Sequence, residues 1–124
     1  MTCRYIYNAA LALLGEAEDT AATNDYAARS VHLLTVIFSR FSRLSEALSD
    51  CMTDFEALTI TSLDAPFPLD ERLAALASEV LASMLVTDEL PEISKMLAER
   101  AEKDSRLLSA EASSIGSTRE VYGS

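Results

Sequence analysis

Residues 66–85 read Pro66-Phe-Pro-Leu-Asp-Glu-Arg-Leu-Ala-Ala-Leu-Ala-Ser-Glu-Val-Leu-Ala-Ser-Met-Leu85. The rigid Pro-x-Pro opening and Asp70, placed as an N-cap, start a helix that runs to about Val86. At about 100° per residue, Leu73, Leu76, Ala77, Val80, Leu81, Met84 and Leu85 cover roughly half its circumference. The other half is small and lightly charged, with Ala75, Ala82 and Val86 beside Arg72, Glu79 and Ser83. Such a helix suits a place between its own core and a neighbouring subunit. Arg72, Ala75, Glu79 and Ala82 are therefore expected at a subunit interface.

Working outward, the remaining chain supplies three more helices. Cys3 to about Leu14 places Ile6, Ala9, Ala10, Leu13 and Leu14 on one stripe, with Gly15 able to take the left-handed position past the end. After a polar connection, Thr23 or Asn24 caps a longer helix from about Asp25 to Leu48. Its apolar stripe is Ala27, Val31, Leu34, Ile37, Phe38, Phe41, Leu44 and Leu48, while Arg29, Arg40 and Arg43 share the side turned away. Thr87-Asp-Glu-Leu-Pro91 reads as the next start, with acids in the first turn and a proline whose missing N–H costs little. That helix runs to about Ala110 with Leu90, Ile93, Leu97, Ala101 and Leu108 on one side.

Two segments break the helical period. Residues 49–65 hold Phe55-Glu-Ala-Leu-Thr-Ile-Thr-Ser-Leu63, an irregular loop able to carry a short strand. Beyond Glu111 the composition turns to Ser, Gly, Thr and single charges, an extended tail that cannot pack a core by itself. The expectation is an all-α four-helix bundle over residues 1–110, followed by a docking arm over 111–124.

Composition narrows the function classes. The 124 residues suffice for one core, and 49% hydrophobic content with three glycines and three prolines favours ordered helix. A net charge of −10 argues against gripping nucleic acid or an anionic membrane, which takes clustered Lys and Arg. Residues 49–90 carry nine carboxylates against Arg72 alone, so most of the negative field comes from that third. Cys3 and Cys51 lack metal-type spacing and read as reduced thiols. The first residues faintly resemble a signal peptide, but Asn8 interrupts the apolar run and acids follow it, which suits an amphipathic helix better. No apolar run approaches the roughly 20 residues of a membrane span, so the chain is expected to be soluble.

Catalytic equipment is missing from this reading. His32 is the single histidine and lies near the arginine stripe, as a surface or interface residue would. Gly15, Gly116 and Gly123 are isolated and make no phosphate-cradling loop. Asp70-Glu71 and Asp88-Glu89 sit at helix starts, where the macrodipole accounts for them. Asp50, Asp54 and Glu56 lack the ligand spacing and glycine of a calcium loop. No catalytic residue, cofactor or metal is expected. Two features point to contacts instead. The Arg29/Arg40/Arg43 stripe is matched in charge by the acidic middle third, as in a head-to-tail contact between copies. The tail places Ile115, Val121 and Tyr122 among small residues, as a segment that hooks onto a partner does.

With these residues in place the chain resembles the bacteriophage head-to-tail connectors, the adaptors that dock beneath the portal. The resemblance lies in Asn8-Ala-Ala-Leu-Ala-Leu-Leu-Gly-Glu16 with Glu18-Asp19 behind it, in Pro66-Phe-Pro-Leu-Asp-Glu-Arg-Leu-Ala-Ala-Leu-Ala77, and in an Ile/Val/Tyr-bearing tail. It implies a four-helix bundle and a dodecameric ring that extends the portal channel. It also implies a tail (Ile115, Arg119, Val121, Tyr122) reaching onto the portal protein and a far face for a stopper or tail protein. DNA would pass without specific binding, and Asp50, Asp54 and Glu56 would line the channel or its rim. The protein would be found in the virion neck, and in the host cytoplasm during assembly. The alternative is a small cytosolic helical dimer that takes a partner helix in a groove.

Overall fold

The computed structural model describes residues 1–16 and 21–122, with backbone alone for residues 21–24 and 117–122. It is all-α among the described residues: α1 (Cys3–Leu13), α2 (Ala21–Ser49), a short α3 (Phe55–Leu58), a 3-10 turn (Glu71–Leu73) leading into α4 (Ala74–Leu85), and α5 (Pro91–Tyr122). Helix α4 is the hub and packs against α1, α2 and α5.

The hub position follows from its composition. Leu76, Ala77, Ser78, Glu79, Val80, Leu81, Ala82, Ser83 and Leu85 are all buried, as a helix that is apolar or small all round should be. Asp70 caps the start as the sequence predicts, its carboxylate accepting from the Arg72 amide at 2.9 Å. The small back of α4 lets α5 approach closely. The Ser83 hydroxyl donates to the Ser94 carbonyl and the Ser94 hydroxyl to the Ser83 carbonyl, each at 2.8 Å. Bonding each hydroxyl to the opposite backbone removes the desolvation cost of burying it. Arg72 ties three helices at the other end, reaching the Leu48 carbonyl at 3.1 Å and the Glu111 carboxylate at 3.2 Å.

Helix α1 ends as its sequence directs. Gly15 sits at φ +70°, its amide bonds Ala12 O at 3.1 Å, and the Glu16 amide bonds Leu11 O at 2.9 Å. These are the two bonds of a Schellman termination. Its start has no side-chain cap. The free amides of Cys3 and Arg4 instead donate to the Ala65 and Leu63 carbonyls at 2.9 and 2.7 Å, and Phe67 N returns a bond to Met1 O at 3.0 Å. Residues 59–70 thus form a strap across the amino end of α1. Its only strand-like feature among the described residues is an isolated bridge between Thr2 and Pro66, so the irregular loop read over 49–65 carries α3 and this strap rather than a short strand. Phe67 anchors it from behind, edge-to-face on Phe38 with ring centroids 5.5 Å apart.

Three further expectations are corrected. The stripe on α1 is rotated: Cys3, Ile6, Tyr7, Ala10 and Leu11 are buried, while Ala9 and Leu13 turn outward. In a helix this rich in Ala and Leu the pattern tolerates two phases, and the strap selects one. Thr87 finishes α4 instead of capping α5, since its hydroxyl donates back to Ser83 O at 3.0 Å and the next helix starts at Pro91. Finally, α5 continues past Ala110 to Tyr122, so the tail after Glu111 is helical rather than extended. Glu111 is held by Arg72, Ala112 is buried and Ile115 packs on the core. These contacts outweigh the cost of Gly116 within a helix, about 1 kcal/mol.

Candidate assembly surfaces

The outward turn of α1 opens a groove between α1 and α4 of about 560 Å³. Met1, Tyr5 and Leu13 form its rim, Ala9, Ala12, Ala75 and Ser78 its floor, and Glu71, Arg72 and Glu79 its charged side. Tyr5 is 59% exposed, a large apolar surface for a helix of this length. Of the four residues of the α4 region expected at a subunit interface, Arg72 and Ala75 do reach the surface here. Ala82 does not: it is fully buried in the single chain, where α4 is covered by its own neighbours. It is withdrawn from the interface set. Glu79 lines the groove yet is only 7% exposed.

Glu79 is the electrostatic anomaly of the molecule. One of its carboxylate oxygens, Oε2, is buried and accepts no hydrogen bond. Burial pushes the carboxyl up to about 7, Asp104 on α5 opposite reinforces this, and Arg100 pulls weakly the other way. The folded chain thus holds a proton there that the unfolded chain releases near the ordinary value of 4.5. The sign follows from proton linkage. This stabilisation is complete below about pH 4.5 and is lost as pH rises through 7. Glu79→Gln should flatten that part of the pH dependence and be more stable than the parent at about pH 8, by on the order of 2 kcal/mol. Urea unfolding of both chains across this range checks it. Parallel curves would mean that Glu79 ionises freely.

Arg40 and Arg43 are exposed on a ridge of α2, whereas Arg29 is half-buried against the end of α4. His32 and Val36 lie between Arg29 and Arg40, and Val36 is 56% exposed. Arg29 pairs with Asp25 at 3.5 Å and donates to the Leu85 carbonyl at 3.4 Å. The Arg40 guanidinium lies 5.1 Å from the centre of the Phe41 ring. Neither Arg40 nor Arg43 forms an ion pair among the described residues. A second hollow of about 400 Å³ flanks the ridge, lined by Arg40, Phe41, Val80, Met84, Ala101 and Glu102 among others.

Where α2 stops, Asp50 takes a left-handed φ of 58°, which Asp tolerates better than most residues. Thr53 then ties the chain back onto α2, its amide donating to Glu46 Oε1 at 2.9 Å and its hydroxyl to Ser42 O at 3.3 Å. The Thr53 amide holds the Glu46 carboxyl below its usual range. This leaves an apex bearing Met52, 87% exposed, and Phe55, 70% exposed, between Asp50, Asp54 and Glu56. Asp54 caps α3 through the Glu56 amide at 3.0 Å. The sequence reading found the acids and missed the two apolar side chains among them. Met52 and Phe55 set among acids just past the end of α2 were the available signal.

Of the docking-arm residues, Ile115 is partly buried and packs one side against the core. The side chains of Arg119, Val121 and Tyr122 lie outside the described residues, on a backbone that is helical. The other end of α5 is apolar at the surface, with Leu90, Ile93 and Met96 exposed and Leu107 further along. Among the described residues no cluster of His, Cys, Asp and Glu could hold a metal ion, and no helix is long and apolar enough to cross a membrane. No family model, curated protein or solved structure matches the chain.

Proposed function

We propose that this protein is a structural assembly part, a head-to-tail adaptor that forms a ring beneath a phage portal and extends its DNA channel. The observation that carries the reading is the spread of exposed apolar side chains. Tyr5 and Leu13 mark the α1–α4 groove, Met52 and Phe55 the acidic apex, and Leu90, Ile93 and Met96 the start of α5. Exposed apolar patches mark contact surfaces, and three of them in separate places suit a subunit held by several neighbours. A dimeric binding module needs one groove and one dimer face. The α1–α4 groove is what supports that second reading.

In the ring reading, the portal protein takes the carboxyl end of α5 and a stopper or tail protein takes the opposite rim. No covalent chemistry is assigned. The acidic apex faces the channel, because a wall that a duplex slides past must repel phosphates rather than pair with them. The test is a triple variant, Asp50→Asn, Asp54→Asn and Glu56→Gln. Asparagine keeps the α3 cap and tolerates the left-handed φ at position 50, so the fold should survive with little change in melting temperature. DNA ejection from particles carrying the variant should slow. Ejection at the parental rate would remove these acids from the channel.

A further inference from the structure

The ridge on α2 and the groove between α1 and α4 lie on different sides of the hub helix. Ala75, Ser78 and Glu79 of α4 face the groove, whereas Val80 and Met84 face the hollow shared with α2. One chain cannot bring its own ridge into its own groove. A second copy can. The ridge exposes Val36 at its middle and Arg40 and Arg43 toward its end, neither in a close ion pair among the described residues, though Arg40 acts on Glu102 and Arg43 on Glu46. The groove is floored by alanines, which let a helix approach closely, and its charged side holds Glu71, Arg72 and Glu79, with Asp104 of α5 behind Glu79. Arg72 is already engaged there by Asp70 and Glu111. Glu79 shares its enclosed end with Asp104, so two carboxyl groups meet there and a cation nearby would favour their ionised forms.

We infer that the α2 ridge of one copy seats in the α1–α4 groove of the next, Val36 on the alanine floor and an arginine on the Glu79 carboxylate. Two different patches meet, so the contact is heterologous and propagates to further copies instead of closing at a dimer. A guanidinium at the mouth of the groove, beside Glu71 and the accessible edge of Glu79, favours the ionised form of Glu79. Association should therefore strengthen as pH rises through 7, the groups facing Glu79 being Asp104 and Arg100 of α5 and Glu71 and Arg72 before α4. The inference rests on the self-assembly part of the function proposed above and not on the portal.

The test uses the full chain with Cys51→Ser, which leaves the buried Cys3 as the only native thiol. Val36→Cys and Ala75→Cys are added together, and a short bismaleimide is applied at the highest concentration the protein tolerates. A ladder of dimers, trimers and larger species is expected, at several-fold the yield of a control carrying Val36→Cys with Leu107→Cys. Arg40→Glu with Arg43→Glu should abolish the ladder. Glu79→Gln, folded by circular dichroism, should weaken it several-fold and remove its rise between about pH 6 and pH 8. Yields equal to the control, products that stop at dimer, or a ladder indifferent to the arginines would each overturn the interface. Capture on portal rings is scored separately. Capture without the ladder rejects this contact and leaves the adaptor reading standing, and a ladder without capture does the reverse.

Discussion

Phe38→Ala should lose about 3–5 kcal/mol of folding stability, the usual cost of emptying a buried phenylalanine site. Phe38 is fully buried at the middle of α2 and its ring supports Phe67 at 5.5 Å, so the deletion also loosens the strap that holds the start of α1. Against a total of about 5–15 kcal/mol for a domain, that is at least about a fifth of the stability. For a chain of this size the thermal midpoint should fall by on the order of 10–20 °C. Phe55→Ala is the matched control. Its ring is mostly in water at the apex, and surface substitutions of that kind stay within about 0.5 kcal/mol. Thermal and urea melts followed by circular dichroism measure both. Near-equal effects of the two substitutions would show that the α2 core is packed differently.

The second large effect separates two truncations of α5. Ending the chain at Gly116 leaves the Arg72–Glu111 pair, the buried Ala112 and the packed Ile115 in place. Ending it at Ala110 removes all three. The longer deletion should therefore cost about 1–3 kcal/mol, mostly from burial lost at Ile115 and Ala112. The shorter one should melt with the parent. If the carboxyl end of α5 is the arm that meets the portal, both truncated chains should fall to background in capture by purified portal rings. The shorter truncation gives the clean result, since its fold is intact. Full capture after removing residues 117–124 would take portal docking away from Arg119, Val121 and Tyr122.

The fold class was legible because the information is local. The apolar stripes of α2 and α4, the Asp70 cap and Gly15 past the end of α1 each follow from residues within one or two turns. What the sequence hid is non-local. Nothing near Cys3 announces that its amide donates to a carbonyl 62 positions away, at Ala65. That contact sets the rotation of α1, and the rotation opens the groove beside α4. The length of α5 was hidden for the same reason: its Ser- and Gly-bearing end is a poor helix by itself and is held by Arg72 and the core.

The candidate surfaces divide along the same line. Arg29, Arg40 and Arg43 were found because a helical wheel places them together, and Asp50, Asp54 and Glu56 because they cluster in sequence. Glu79 and Ala82 share one helix face, and only the packing of α5 tells a groove-lining carboxyl from a covered methyl. Asp104, which opposes Glu79, went unremarked because the two lie 25 positions apart on antiparallel helices.

The strap over α1 makes the two thiols into separate clocks. Cys3 lies beneath it, fully buried, its sulfur 3.6 Å from the Pro66 carbonyl and its ionisation pushed up to about 11 by that enclosure, whereas Cys51 stands in water. A maleimide meets Cys51 at the speed of diffusion and chemistry. It meets Cys3 only when the amino-terminal closure comes undone, so the slow phase of labelling counts those openings one by one.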